Sequence, residues 1–328
     1  MLRVKPEKEQ ILDRSAALTA ILAVAAFDYG LRILLFSAIA AAVSMLTELV
    51  CLYLRHEAFR LRHLDAAVSG VLIFMMMPPT VSVSLLIMSC VFAIIIGRQV
   101  FGGRNQPLFP TAAVGYCFAF LNNSVQMQTF PLQKEHLPLF SAGSIQTGSG
   151  LSYQWNTAGT FPTDSLKWLT GPAALPVGSV SVLLLLTVGA VLCIRRSASA
   201  PVLLPMIAVA AAGFTVLHLF RAPLMCCTAS MLTNQMLFSA VFLYADPMYA
   251  PKSVYGLLFG LLCGILIVII TGFFAVADSP VFLAVLTAPL AFYLRQPENT
   301  AARKGDDRSD ETYKAEGDTA SAQESAAQ

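Results

Sequence analysis

Glu48 lies inside AVSMLTELVCLYL, an apolar run in which an ionisable side chain is costly to bury and so marks a pathway, a relay or a partner contact. Two readings fit it: facing an internal cavity, or pairing with a neighbouring subunit. Asp28 and Asp278 fall at the ends of apolar runs, where water can satisfy a carboxylate. His63 and Asp65 stand at another such boundary and read as caps or anchors, and His218 reads as a hydrogen-bonded core histidine. The run Met75-Met76-Met77 suits soft, adaptable packing better than cofactor chemistry. Seven cysteines, at 51, 90, 117, 193, 226, 227 and 263, sit mostly in apolar runs and lack the C-x2-C spacing of metal or redox sites. They read as small buried hydrophobes, with no disulfide framework.

Two loops carry an unusual density of glycine and proline. The first is Gly97-Arg-Gln-Val-Phe-Gly-Gly-Arg-Asn-Gln-Pro-Leu-Phe-Pro-Thr111, where two prolines delay the next helix until Thr111. The second is Tyr244-Ala-Asp-Pro-Met-Tyr-Ala-Pro-Lys-Ser253. Non-helical backbone at a membrane edge survives when it is buried in protein or lines a cavity.

The elements that must position these residues follow from composition. Of 328 residues, 56% are hydrophobic and 12% are charged, against about 25% charged in an average soluble domain. With a mean hydropathy of +0.68, much of the surface must face a lipid bilayer. The near balance of 21 Lys+Arg with 19 Asp+Glu gives no sign of nucleic acid as a partner. Apolar runs near the length a bilayer needs occur at 15–29, 31–54, 64–79, 81–97 and 110–122, and again at 175–194, 201–220, 230–245, 254–274 and 279–294. The chain therefore divides into a five-helix half (1–122), a polar loop (123–173), a second five-helix half (174–294) and a charged tail (295–328) expected to be disordered. The charged N-terminus leading into an apolar run mimics a signal peptide, but a second span follows at once and the first helix is expected to stay uncleaved.

Sidedness follows from lysine and arginine. With both termini cytoplasmic, thirteen such residues before the tail fall inside (Arg3, Lys5, Lys8, Arg14, Arg55, Arg60, Arg62, Arg98, Arg104, Arg195, Arg196, Lys252 and Arg295) and four outside (Arg32, Lys134, Lys167 and Arg221). The loop 123–173 is then extracytoplasmic. The two halves also share a pattern: Ser69-Gly-Val-Leu-Ile-Phe runs to Pro78-Pro79, and Ser239-Ala-Val-Phe-Leu-Tyr runs to Asp246-Pro247. Five spans per half require opposite entry, so the expected fold is all-α, about ten transmembrane helices in two inverted five-helix repeats with broken third helices.

At these residues the chain resembles a known family. AIIIGRQVFGGRNQPLFPTAAVGYCF and YADPMYAPKSVYGLLFG are similar to the corresponding stretches of the D subunit of Rnf-type ion-translocating electron-transport complexes (RnfD), and of the related B subunit of the sodium-translocating NADH:quinone reductase. The likeness runs in order along nearly the whole chain outside the tail. Two family patterns have changed: Asn-Pro-Phe-Asn-Pro stands here as Gln106-Pro-Leu-Phe-Pro110, and Thr-Asp-Pro as Ala245-Asp-Pro247, so this is a divergent member.

The resemblance implies flavin mononucleotide (FMN) linked through its phosphate to a threonine hydroxyl on an exposed loop. Asn156-Thr-Ala-Gly-Thr160-Phe-Pro162, with Leu166-Lys167 beyond, resembles the family's acceptor motif and aligns Thr160 with the acceptor. Its acidic residue is missing and one residue is inserted; Thr157 and Thr163 are the alternative hydroxyls. The resemblance further implies riboflavin or a second flavin, a flavin transferase, other Rnf-type membrane subunits, a cytoplasmic NADH-side subunit, a bacterial inner-membrane location, and coupling of electron transfer to Na+ or H+ movement. Such a chain would work only within the complex. Two rival readings share the fold: a stand-alone secondary transporter, and a structural paralogue without flavin.

Overall fold

The computed structural model describes residues 7–103, 107–131, 137–139, 147–149, 175–179, 181–221, 235–274 and 278–295. Helix α1 (Glu7–Tyr29) begins well inside the charged N-terminal segment rather than at the start of the apolar run, and α2 (Leu31–Leu54) follows after one residue. That residue is Gly30, whose φ of 84° lets the chain reverse with no intervening loop. A 3-10 turn (Leu61–Leu64) leads into α3 (Asp65–Met76), which has only 12 residues. It stops because Met77 precedes Pro78-Pro79 and is held in extended backbone, as proline demands of the residue before it. Helix α4 (Val83–Ile94) passes into a π-helical turn (Ile95–Gln99), and α5 (Thr111–Asn122) starts directly after Pro110.

A short strand pair follows, Thr129–Pro131 antiparallel to Thr147–Ser149. The second half of the chain holds α6 (Val182–Ile194), α7 (Ala200–Arg221), α8 (Met236–Ser239, running on as a π-helix over Ala240–Tyr244), α9 (Ser253–Phe274) and α10 (Ser279–Leu286). After a break at Thr287, α10 resumes as helix over 288–295. Among the described residues three helices are long and apolar enough to cross a membrane: Lys8–Tyr29, Leu31–Leu54 and Val254–Gly272. Asp65–Met76, Val83–Gln99, Thr111–Asn122, Val182–Ile194 and Ala200–Val216 are shorter apolar stretches, and the third element of each half, α3 and α8, is short. Leucines and aromatics such as Phe27, Leu46, Tyr53, Leu183 and Leu258 face outward, where a soluble protein would carry charge. This is the surface of a membrane protein.

The ends of the short helices are not left open. The Met77 carbonyl accepts from the Val177 amide at 3.2 Å, and the Met76 carbonyl from the Gln235 side chain at 2.9 Å. Met75, Met76 and Met77 are fully buried and fill the irregular space where α3 stops, as soft packing. In the second half, two helices are held by close backbone approach. Gly256, Gly260 and Gly264 lie four apart on α9; Gly260 and Gly264 face the α7 backbone. A Cβ on Gly260 would stand 2.5 Å from the Val202 carbonyl oxygen, and one on Gly264 would stand 2.9 Å from that of Met206. Small residues at this spacing let membrane helices pack by van der Waals contact where hydrophobic burial gives no advantage.

This packing predicts that Gly260→Leu forces α7 and α9 apart and destabilises the protein by about 1–3 kcal/mol. Leu258→Phe, on an exposed position two residues away, should leave the unfolding temperature in detergent unchanged. Equal melting of the two variants would show that the glycine contact does not hold this pair.

Candidate functional site

Glu48 is 1% exposed and sits at the hub of a buried charge network. Its Oε1 lies 3.1 Å from His63 Nδ1 and 3.4 Å from Arg98 Nη2, while its Oε2 accepts from Gln99 Nε2 at 2.6 Å. Arg98 reaches on to Asp65, with Nη1 at 3.6 Å from Oδ2. Arg98 and Gln99 are sequence neighbours, whose side chains would diverge on an α-helix. The π-helical turn over Ile95–Gln99 is where both come to one carboxylate. A close α2–α3 crossing seats the network: a Cβ on Gly70 would lie 2.4 Å from both the Ala40 carbonyl oxygen and Ser44 Oγ.

A second buried pair joins the two halves of the chain. Arg14, inside α1, forms a two-pronged salt bridge with Asp246, just past α8, with its Nη1 at 2.6 Å from Oδ2. Both side chains are buried. A cavity of about 20 Å³, room for one water, lies among Arg14, Asp65, Ser69, Thr111, Asp246 and Tyr249. Burial, with the Asp246 carboxylate adding to it, pushes the Tyr249 phenol above its usual range, so that it remains protonated and within 3.3 Å of the Thr111 hydroxyl. The region gathers two guanidinium groups, three carboxylates and an imidazole.

The two glycine- and proline-rich loops meet here. Arg295, at the end of the last helix, donates to the Met248 carbonyl of one loop and to the Pro107 carbonyl of the other, the latter at 2.8 Å. Leu108 and Pro110 of the first loop, Tyr244 and Tyr249 of the second, and Leu243 just before it share the lining of an apolar cavity of about 20 Å³. Ala245, where the family pattern has threonine, is fully buried, and its carbonyl accepts from the Ser199 amide at 2.6 Å.

Several sequence expectations change. Glu48 pairs within its own chain, so it is committed to neither of its two readings. His63 and Asp65 are buried members of the network rather than boundary anchors. Asp278 is buried rather than at an open boundary, 8% exposed with Gln235 beside it. Arg14, Arg32 and Arg98 enter the sidedness count as loop charges, yet all three are buried, Arg32 donating to the carbonyls of Pro138 and Val81. Arg14, Gln99, Asp246, Tyr249 and Arg295 are site residues that sequence reasoning does not single out. A helical register extended back through the charged N-terminus would have revealed Arg14. The five cysteines described, 51, 90, 117, 193 and 263, are free thiols, and no metal-ligand cluster occurs among the described residues. Thr160, Thr157 and Thr163, Cys226 and Cys227, and the tail beyond Arg295 lie outside the described residues, as does the side chain of His218.

Residues 5–297 match the model of the NQR2, RnfD, RnfE family. The chain belongs to that family. Among its relatives, the D subunit of the ion-translocating oxidoreductase complex of Salmonella enteritidis PT4 is 28% identical over 308 residues, covering 81% of this chain and 86% of the relative. The protein of the same name from Salmonella arizonae is 28% identical over 310 residues (83% and 88% covered), and that from Actinobacillus succinogenes 26% over 302 (81% and 84%). The resemblance read from the two loops thus extends over the whole helical part of the chain. Within this NQR2, RnfD, RnfE family member, the signature loops are the segments that Arg295, Tyr249 and the Arg14–Asp246 pair bring together.

Removing Glu48 leaves Arg98 buried with Asp65 as its remaining ion-pair partner. Glu48→Ala is expected to cost about 3 kcal/mol or more, read as thermal unfolding of the purified protein, and Glu48→Gln, which keeps an acceptor for Gln99, distinctly less. Two small and equal effects would remove Glu48 from the hub.

Proposed function

We propose that this chain is the D-type (RnfD) membrane subunit of an Rnf-type ion-translocating oxidoreductase, carrying electrons through flavin mononucleotide held on Thr160 and contributing to Na+ or H+ movement. The observation that carries the reading is the family match over residues 5–297 together with relatives named as the D subunit of such a complex. Other membrane subunits and a cytoplasmic NADH-side subunit are its partners, and a flavin transferase modifies it. It resides in the bacterial inner membrane with both termini cytoplasmic.

The chemistry of the donor suits the group. A phosphoester needs a hydroxyl that a transferase can reach, and Thr160 lies in a long polar segment with Thr157 and Thr163 close by. Flavin supplies the redox step when bound, and the protein supplies attachment, orientation and electrostatics. What this chain contributes from its described residues is a rigid platform: paired charges at the signature-loop end and helix ends capped by other parts of the fold. The loss of the acidic residue from the acceptor motif favours one alternative, a structural paralogue without flavin.

In-gel fluorescence separates the two. Expressed with its own flavin transferase, the denatured band should fluoresce under ultraviolet light, because a covalent phosphoester survives detergent. Thr160→Ala should abolish the signal with membrane insertion unchanged, and Thr160→Ser should retain part of it. Undiminished fluorescence in Thr160→Ala moves the site to Thr157 or Thr163. A dark wild-type band, beside a transferase proven active on another substrate, selects the flavin-free paralogue.

A further inference from the structure

Arg32 stands where a cation is least expected. It is the second residue of α2, and a positive charge in the first turn of a helix opposes the helix dipole. It is 3% exposed, so its charge is taken out of water. It is also one of the four basic residues on the expected extracytoplasmic side, where such residues are sparse. No carboxylate among the described residues forms an ion pair with it. Its fork instead grips two segments that are far apart in the chain. Nη1 donates to the Pro138 carbonyl at 2.9 Å, and Nη2 to the Val81 carbonyl at 3.1 Å. The guanidinium lies 4.5 Å from the centre of the Phe36 ring, whose face suits a cation.

Val81 belongs to the break between α3 and α4, and Pro138 to the loop 123–173. Other contacts join that loop to the same place. Thr80 Oγ1 donates to the Thr129 carbonyl at 3.1 Å, and the Leu137 amide donates to the carbonyl of Tyr29, the last residue of α1, at 3.1 Å. Thr129–Pro131 pairs with Thr147–Ser149, and the Val177 amide reaches the Met77 carbonyl. The stretch between Ser149 and Val177, which contains Thr160, is therefore tied to the break at both ends.

We propose that Arg32 is a positioning residue, which docks the loop 123–173 on the break between α3 and α4 and so fixes where a group carried between Ser149 and Val177 stands against the helices. Hydrogen bonds to a charged donor are about twice as strong as neutral ones, and the Thr80 and Leu137 contacts are neutral. One rigid fork that serves both loop and break makes the two move together, which a lysine reaching a single carbonyl would do less well. That the carried group is flavin rests on the reading above; the docking does not.

The test is amide hydrogen exchange of the purified full-length chain in detergent, followed peptide by peptide. In Arg32→Gln the peptide containing Leu137 should exchange about 10-fold faster or more, because the loop opens locally, while peptides of α9 keep the wild-type rate. Arg32→Lys should fall between the two. Thr80→Val, which removes the neighbouring tie, should speed exchange over Thr129–Pro131. An arginine that only stabilises the fold would raise exchange evenly along the helices; that result, or an unchanged Leu137 peptide, overturns the docking. Should Arg32→Gln fail to fold, Arg32→Lys and Thr80→Val decide. With flavin attached, the fluorescence anisotropy of the native protein should fall in Arg32→Gln. Faster exchange with unaltered anisotropy overturns the positioning role. A dark wild-type band defeats the flavin reading, and the exchange rates then decide the docking without it.

Discussion

A charge taken out of water must find its opposite close by, and in a chain whose surface faces lipid that requirement falls on the protein alone. The Arg14–Asp246 pair meets it across 232 positions of the sequence: the guanidinium comes from the first helix and the carboxylate from just beyond the eighth. The pair brings the start of α1 to the second glycine- and proline-rich loop. Arg295 then ties that loop to the first one. Glu48, His63, Arg98, Gln99 and Asp65 extend the same logic through α2, α3 and the π-helical turn. Pairing of this kind contributes little net stability compared with an apolar core, but breaking one side of it is severe. Its main effect is therefore to fix which segments can be neighbours.

The second constraint is that broken helices expose backbone. Helix α3 ends after 12 residues and α8 runs for only a few turns, so their termini would be unsatisfied in hydrocarbon. At the end of α3 the chain answers with Val177, Gln235 and a plug of three methionines, and just past α8 the Ser199 amide donates to the Ala245 carbonyl. Charge pairing thus holds the two loops, and hydrogen bonds from other segments hold the break in α3.

Much of this is legible in the sequence, and the gaps have physical causes. Pro78-Pro79 announces the end of α3 and Gly97 to Pro110 a non-helical loop, because both constraints are local to the backbone. Glu48 stands out because burial of one carboxylate in an apolar run is visible in one dimension. Its partners are not, since Arg98 and Gln99 converge only through a π-helical turn that hydrophobic periodicity does not encode. Asp278 escapes for a similar reason: a residue at the end of an apolar run meets water unless another segment covers it, and Gln235 comes from 43 positions away. Arg14 is hidden by its charged neighbours, which look like a loop until α1 is seen to begin at Glu7. The glycines of α9 stand at the four-residue spacing of close helix packing, but that α7 is the helix they admit is not visible in one dimension.

The claim on which the arrangement rests is that Arg14 and Asp246 hold the two halves of the chain together by pairing with each other. A double-mutant cycle measures it directly, using Arg14→Leu, Asp246→Leu and the double variant, each followed by thermal unfolding in detergent. Each single change strands a buried charge and should lower the melting temperature strongly. The double variant strands none and should melt well above the sum of the two losses, with a coupling of about 1–3 kcal/mol. Additive losses would mean that the two residues do not act as a pair and would contradict the account.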